Sequence, residues 1–396
     1  MPFLVPPESI DSESLIFVLA FGTPSLLEAQ CVLGKGAKVV MHCEDVATAD
    51  LKGGRFKAYT QLAGVHKIAL PLPRVDSPDF GDAITFPEKN FNFSLSLYCV
   101  PGDQEAAYDE ISEELLSTLR DLGLKKANLI RSRSGPELFS ERVVSRSAMD
   151  FIVFQIGAVP QWGITVYVPE AGEFKERSSE RPYITSGISL SSRLARMLVN
   201  IAGVSKGQVL LDPFCGSGTI LGEGLFKGAE CIGIDRNHGS VERAKENLSW
   251  LVRNSLSDRR PAPAFSVVTG DATDLRRQIG DRTVDAIVSE PILIPRLSAP
   301  PSLDKARHLI KHASFIYSEA LHEMSRVLKP GGRLVLVTPS IRTIDGKDVT
   351  LTFEGLRDVG LKGFQPTKET SFEYPLRLSH QSTRWIRRMV YALERL

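Results

Sequence analysis

Two hydrophobic periodicities alternate along residues 209–339. Short apolar runs end in aspartate or proline, and the segments between them repeat apolar residues every three to four positions. Strands that alternate with amphipathic helices are typical of a doubly wound α/β fold with a parallel sheet. The predicted strands cover residues 209–212, 229–235, 265–272, 284–291 and 332–339. Residues 361–378 and 383–394 predict a strand pair that closes the sheet in an antiparallel sense.

The first 170 residues carry a more mixed α+β pattern. Residues 15–100 predict a small α/β unit, and a proline-rich stretch at 72–87 predicts a boundary or a long connection. Residues 91–100 alternate as a strand does, and 105–122 have the period of an amphipathic helix. With the strands that follow, this part predicts the order β-α-β-α-β-β. The chain is thus divided into domains at 1–90, 91–178 and 179–396.

Composition adds exclusions to this picture. The 396 residues carry a formal net charge of +1, and no apolar run approaches the roughly 18 to 20 residues that span a membrane. The N-terminus lacks the features of a signal peptide, so we expect a cytoplasmic protein without a membrane partner. The five cysteines are scattered without a CxxC pair, which predicts neither a metal site nor a disulfide framework.

Acidic side chains end the first four predicted strands of the last domain. Asp212 comes before the glycine turn Cys215–Thr219, Asp235 and Asp271 end the next two strands, and Ser289-Glu290-Pro291 ends the fourth. Because ligands of open α/β sheets bind at the carboxyl ends of the strands, these acids predict a site for an adenosine-containing ligand. The glycine spacing is one residue too long for a dinucleotide turn. An acid at position 212 suits a ligand with a positive amino-acid end, such as S-adenosylmethionine.

Two basic stretches leave alternatives open. Residues 120–146 carry seven Lys or Arg against three acids, and residues 377–395 carry five Arg against one Glu, with Trp385 among them. Either stretch fits contact with phosphates of a nucleic acid. The first equally fits a solvated face, and the second an edge strand protected by charge.

The stretch DPFCGSGTILGEGLFKGAECIGID, residues 212–235, resembles motifs I and II of the THUMP-domain RNA methyltransferases. The group that modifies the N2 atom of guanosine 10 in tRNA is the most similar. The resemblance implies a ferredoxin-like region (1–90), a THUMP-like RNA-binding module (91–178) and a Rossmann-type methyltransferase domain (179–396). It also implies S-adenosylmethionine as cofactor. Residues that would cradle its methionine part are Asp212, Pro213, Phe214, Gly216, Gly218 and Thr219; Asp235 would hold the ribose, Asp271 and Ala272 the adenine, and Ser186 would line the pocket.

Ser289-Glu290-Pro291 stands where this family has Asp or Asn, Pro, Pro and an aromatic residue. Glu290 takes the acid position and Pro291 is retained, while Ile292 and Leu293 replace the second proline and the aromatic. The resemblance implies that Glu290, with Ser289 and Pro291, holds an exocyclic amine of a tRNA base, most simply guanosine N2, for direct attack on the methyl group. It also implies tRNA as a partner, and a small zinc-binding activator protein as in some relatives. Alternatives are another RNA, a protein or a small molecule as acceptor, or a non-catalytic tRNA-binding protein with a vestigial site.

Overall fold

The computed structural model divides the chain into two compact units, Met1–Ala171 and Gly172–Leu396. The domain boundary predicted at residue 178 lies a few residues after the division between these two units. The residues that the structure describes are 14–34, 37–51, 61–84, 86, 90–124, 126–131, 149–156, 159–169, 174, 177–184, 190–258, 264–291, 294–367, 371–379 and 385–396.

An antiparallel sheet with one helix forms the first half of the N-terminal unit. The strands are β1 (Ser14–Leu19), β2 (Ala37–Cys43), β3 (Val46–Leu51) and β4 (Val65–Leu72), with helix α1 (Thr23–Leu33) between the first two. Their order in the sheet is β2-β3-β1-β4, and each neighbouring pair is antiparallel. This is the arrangement of a split β-α-β-β-α-β fold, which the ferredoxin-like prediction requires. A helix predicted near residues 55–60 lies outside the described residues.

Four further strands extend the same sheet. They are β5 (Asn90–Tyr98), β6 (Lys126–Leu129), β7 (Met149–Ile156) and β8 (Val159–Tyr167), with helix α2 (Gln104–Asp121) after β5. Since β8 pairs with β4, the boundary predicted at residue 90 falls within one continuous sheet of eight strands. The apolar stripe of α2 packs through Leu115 and Leu119 into a core with Phe93 and Phe151. The basic segment from 132 to 148 lies outside the described residues.

Cys43 and Cys99 are joined by a disulfide in this sheet, with their Cα atoms 6.2 Å apart. The prediction that no cysteines pair is therefore wrong. The two residues lie 56 positions apart in the chain. Cys43 ends β2 and Cys99 follows β5, strands that are not neighbours in the sheet, and both cysteines pack against one apolar cluster that includes Tyr98, Ile152 and Phe154. Spacing in the sequence does not reveal such a contact.

A nine-stranded sheet organises the C-terminal unit and confirms the predicted α/β fold class. Strands β9 to β13 alternate with helices α3 to α6, and β10, β9 and β12 lie at the centre in the order β11-β10-β9-β12-β13. These five strands are parallel, whereas β17 pairs antiparallel with β13, β15 and β16. The bounds are α3 (Ser192–Ala202), β9 (Val209–Asp212), α4 (Thr219–Lys227), β10 (Glu230–Asp235), α5 (His238–Ser255), β11 (Phe265–Thr269), β12 (Val284–Ser289), α6 (Leu303–Val327), β13 (Leu328–Arg342), β14 (Asp348–Thr350), β15 (Leu361–Gly363), β16 (Leu376–Arg377) and β17 (Ile386–Arg395).

Helix boundaries in this unit follow side-chain capping. Ser191 caps α3 by accepting a hydrogen bond from the Leu194 amide at 3.2 Å, and Gly203 ends the helix in the left-handed conformation. Ser302 caps α6 in the same way through the Lys305 amide. A serine side chain therefore fixes the start of both helices. In the described part of the chain, no helix has both the length and the apolar character to cross a membrane.

Candidate active site

The turn after β9 opens the backbone toward the carboxyl edge of the sheet. Gly216 and Gly218 have φ angles of 52° and 83°, in the left-handed region that glycine adopts without strain. A Cβ at Gly216 would meet no atom within 4 Å, whereas one at Gly218 would lie 3.3 Å from Ala244 of α5. Gly216 thus leaves free space beside the turn, and Gly218 allows close packing of helices. Between them, the turn delivers the N-terminus of α4 to this edge.

Asp212 is a buried carboxylate with only one oxygen satisfied by the protein. Its Oδ1 accepts hydrogen bonds from the Ser289 hydroxyl at 2.6 Å and from the Phe214 amide at 3.1 Å. Burial raises the pKa of Asp212 to about 7, against the lowering effect of these bonds; the charges of Asp235 and Glu290 add to the rise. Among the described residues no donor reaches Oδ2. A cation at this oxygen would stabilise the ionised form.

Asp235 and Asp271 use part of their hydrogen-bonding capacity to fix their loops. Asp235 accepts from the Gly216 amide at 2.9 Å and the Asn237 amide at 2.8 Å. Asp271 accepts from the amide and hydroxyl of Thr273, and the amide bond is the main cause of its lowered pKa. These hydrogen bonds orient both side chains at the strand ends, with acceptor capacity left for a ligand.

A cavity of about 410 Å³ lies above these strand ends, within the range typical of sites for small ligands. Of the predicted residues, those that line it are Asp212, Pro213, Phe214, Gly216, Thr219, Asp235, Asp271, Ala272 and Glu290. Gly218, Ser289 and Pro291 are absent from its lining, and Ser186 lies outside the described residues. The structure therefore brings the acids of four strands to one cavity.

Nine lining residues were not predicted as site residues: Leu190, Cys215, Ser217, Ile220, Arg236, Ser240, Arg243, Gly270 and Ile316. Arg236 directly follows Asp235, and Ser240 and Arg243 lie in the first turns of α5, so the rule that ligands meet helix starts points to them. Ile316 lies in the middle of α6, far from any strand end in sequence. No local signal indicates that its helix passes the cavity.

Glu290 forms a two-point ion pair across the sheet. The Arg388 Nε atom donates to one of its oxygens, and a second guanidinium nitrogen lies 3.4 Å from the other. The Glu290 side chain is 12% exposed. Burial raises its pKa, and the Arg388 charge and hydrogen bond oppose that rise. Arg388 was predicted only as one of the cations of residues 377–395, for contact with phosphates or protection of an edge strand, whereas its position on β17 places it against the strand-end acid.

Ser289 and Pro291 do not line the cavity, but they contact residues around it. Ser289 is fully buried, and its hydroxyl is committed to Asp212. The carbonyl oxygen of Pro291 accepts a hydrogen bond from the buried Tyr317 hydroxyl at 2.9 Å. The same hydroxyl lies 3.1 Å from the Val337 carbonyl. Residues 292 and 293, where the sequence departs from the family motif, lie outside the described residues.

The segment before α3 is anchored to the glycine turn. Arg181 is buried and donates to the Thr219 hydroxyl at 2.6 Å. Asn247 of α5 accepts from the Tyr183 amide at 2.9 Å and donates to the carbonyls of Tyr183 and Ser217, each at 3.0 Å. This side chain links α5, the turn and the preceding segment.

Comparison with known proteins places this site in a methyltransferase. Residues 180–346 match the model of the RMKL-like methyltransferase domain. The chain is 36% identical over 163 residues to the tRNA (guanine(10)-N2)-dimethyltransferase of Methanothermobacter thermautotrophicus, covering 41% of this chain and 42% of that protein. It is 30% identical over 195 residues to the human tRNA (guanine(6)-N(2))-methyltransferase THUMP3, covering 47% and 35%. The chain spans about half the length, or less, of these and other curated relatives.

Two solved structures share the fold of nearly the whole chain. TrmN from Thermus thermophilus is 19% identical with a TM-score of 0.51, covering 97% of this chain and 100% of that one. A possible methylase from Clostridium difficile 630 is 14% identical with a TM-score of 0.53, covering 96% and 97%.

One relative is matched over most of its length. It is a probable tRNA (guanine(10)-N2)-dimethyltransferase from Methanothermococcus thermolithotrophicus, 31% identical over 147 residues that cover 37% of this chain and 79% of that protein. This chain therefore belongs to the THUMP-type family of tRNA guanine-N2 methyltransferases, which confirms the resemblance carried by residues 212–235.

Proposed function

We propose that this protein transfers a methyl group from S-adenosylmethionine to the exocyclic N2 of a guanosine in tRNA. The observation that carries the proposal is the convergence of Glu290 with Asp212, Asp235 and Asp271 on one cavity. The names of the relatives, which act on guanine N2 of tRNA, supply the acceptor. With tRNA as the substrate, we propose the cytoplasm as the compartment of the reaction.

The residues of the cavity fit S-adenosylmethionine. The free oxygen of buried Asp212 suits the ammonium of the methionine part, because a buried carboxylate is ionised readily only beside a cation. Open space at Gly216 lets the ligand approach the backbone. Asp235 would accept from the ribose hydroxyls, and Asp271 beside Ala272 from the adenine amine. When bound, the cofactor supplies an electrophilic methyl group on a sulfonium.

Glu290 would orient and deprotonate the acceptor. Its carboxylate lines the cavity and can accept a hydrogen bond from an exocyclic amine, which fixes the nitrogen lone pair toward the methyl group. The positive charge that develops on nitrogen is stabilised by the same carboxylate, which can then receive the proton. Ser289, fully buried, would act by holding Asp212. Pro291, tied to Tyr317, would act by fixing the backbone after Glu290.

Methyl transfer to a tRNA transcript tests this function. The purified chain is incubated with isotopically labelled S-adenosylmethionine, and the digested nucleosides are identified by mass spectrometry. We expect labelled N2-methylguanosine from the wild type. We expect a loss of about 100-fold or more in Glu290→Gln, with cofactor affinity in calorimetry retained, and no change in the exposed control Glu354→Gln.

Several outcomes would overturn the proposal. If the wild type does not bind S-adenosylmethionine, the proposed cofactor is wrong. Cofactor binding with a label on another RNA, a protein or a small molecule changes the acceptor. If Glu290→Gln is as active as the wild type, the Glu290 carboxylate takes no part in the reaction. If the wild type binds tRNA but transfers no methyl group, a non-catalytic tRNA-binding protein is favoured. A small zinc-binding activator stays a prediction, tested by adding the copurified protein to the same assay.

A further inference from the structure

Helix α6 extends past the end of β12 on the side where the cavity opens. Its last residue leads directly into β13, whose first residue pairs with Val284 at the start of β12. Tyr317 lies level with the end of β12, since its hydroxyl bonds the Pro291 carbonyl. The residues of α6 before Tyr317 therefore project past the end of β12, over about 20 Å at 1.5 Å per residue. They lie beside the end of β13 and β14, where the Ile344 amide donates to the Pro301 carbonyl just before the helix. Ile316 in this projecting part lines the cavity.

The outer face of this projecting part combines an exposed aromatic ring with unpaired cations. Phe315, which directly precedes Ile316, is 70% exposed. Lys311 lies one turn before it and Arg307 one turn before that, both exposed. In the part of the chain that the structure describes, neither cationic side chain has a hydrogen-bond or ion-pair partner. Residues 305–312 contain no acid. We name Arg307, Lys311 and Phe315 the α6 ledge.

Phe315 is a single exposed ring, and its neighbours on this face of the helix are charged and polar. A protein partner would bury a contiguous apolar area, which a single ring on a polar helix does not offer. A nucleic acid matches both features, because bases stack on aromatic rings and phosphates pair with cations. The family motif has its aromatic at the position of Leu293, so this chain has no ring there for a base.

We infer that the α6 ledge binds the tRNA substrate, with Phe315 stacked on a nucleobase at the cavity mouth and Arg307 and Lys311 on adjacent phosphates. This inference rests on the proposed function for the identity of the RNA. It makes α6 a second part of the substrate site, beside Glu290. The α6 ledge lies outside residues 120–146 and 377–395, the two basic stretches whose sequences fit contact with RNA.

Binding of a fluorescent tRNA transcript, measured by anisotropy, tests the ring. We expect Phe315→Ala to weaken binding about 5-fold or more, the range for loss of one stacked base, and Phe315→Trp to restore it. Affinity for S-adenosylmethionine should stay unchanged in both. The control is Leu396→Ala, an exposed apolar residue (55%) at the opposite edge of the sheet.

The cations are tested by salt dependence. The double variant Arg307→Ala/Lys311→Ala should lower the slope of log Kd against log salt by about 0.7 to 0.9 per lost phosphate contact. Lys206→Ala, an exposed lysine before β9 at the other edge, is the matched control. Equal affinity and slope in the ledge variants and the controls would overturn the inference. If the ledge variants weaken tRNA binding but the wild type methylates nothing, the α6 ledge binds tRNA and the proposed function is wrong. If the wild type methylates tRNA and no ledge variant changes that activity, the proposed function is supported and the inference about the α6 ledge is wrong.

Discussion

The substitution Asp212→Asn is expected to make the cofactor-free protein more stable and the cofactor weaker. In the wild type, burial raises the pKa of Asp212 from 3.8 to about 7. The folded state therefore binds a proton that the unfolded state releases, and stability falls as pH rises between these two values. Asparagine keeps an acceptor for the Ser289 hydroxyl and the Phe214 amide, but it carries no charge to desolvate.

The magnitude follows from the pKa difference. A shift of about three units at 1.36 kcal/mol per unit corresponds to about 4 kcal/mol above pH 7. The free energy of unfolding of the variant should match that of the wild type near pH 4. Their difference should then grow by about 1.4 kcal/mol per pH unit and level off near pH 7.

Urea unfolding followed by tryptophan fluorescence, from pH 4 to 8 without cofactor, measures this difference. The exposed Asp345→Asn variant controls for the loss of an ordinary surface charge. A difference that does not depend on pH, or a wild type that is the more stable protein at pH 8, would refute the reasoning. Calorimetry on the same variant should show S-adenosylmethionine bound about 10- to 100-fold more weakly, as expected when a charge-assisted hydrogen bond is lost.

Three further predictions concern the same edge of the sheet. In the wild type, affinity for S-adenosylmethionine should rise with pH up to about 7, because the cation binds ionised Asp212; calorimetry in matched buffers checks this. Arg388→Ala removes the cation that lowers the pKa of Glu290, so burial should raise that pKa further. Methyl transfer should then fall at neutral pH and recover at higher pH, with Arg388→Lys intermediate. A pH–rate profile of Arg388→Ala that coincides with the wild type would contradict a role for the ion pair. Tyr317→Phe leaves the Pro291 carbonyl without its donor and should cost about 1 to 3 kcal/mol in urea unfolding.

Much of the fold followed from local patterns, and the failures have identifiable causes. Strands β9 to β13 were predicted because their apolar runs are short, buried and followed by turn residues. Strand β3, VATADL, was missed, since alanine and aspartate weaken its β pattern and only two residues separate it from β2. Its place comes from pairing with β1 and β2 on both sides. Pairing between strands overrides weak propensity in such cases.

For the candidate site too, the residues at strand ends were predicted, whereas their contacts with distant residues were not. Glu290 was predicted from its position at a strand end, but the ion pair with Arg388 joins residues 98 positions apart. Ser289, predicted beside it, is the last residue of β12 and is fully buried, away from the cavity lining. Its hydroxyl reaches Asp212 on the neighbouring strand.

The sequence by itself determined which strands end in acids, where the glycine turn lies and which family these features resemble, because each is a short-range property of the chain. Only the tertiary structure decided which side chains meet. The order of the strands brings Asp212, Asp235, Asp271 and Glu290 to one cavity, and the antiparallel β17 adds Arg388. The course of α6 brings Ile316 to that cavity, next in the chain to the exposed Phe315. Contacts between distant segments depend on how sheets and helices pack. Hydrophobic periodicity along the chain predicts only local secondary structure and does not predict that packing.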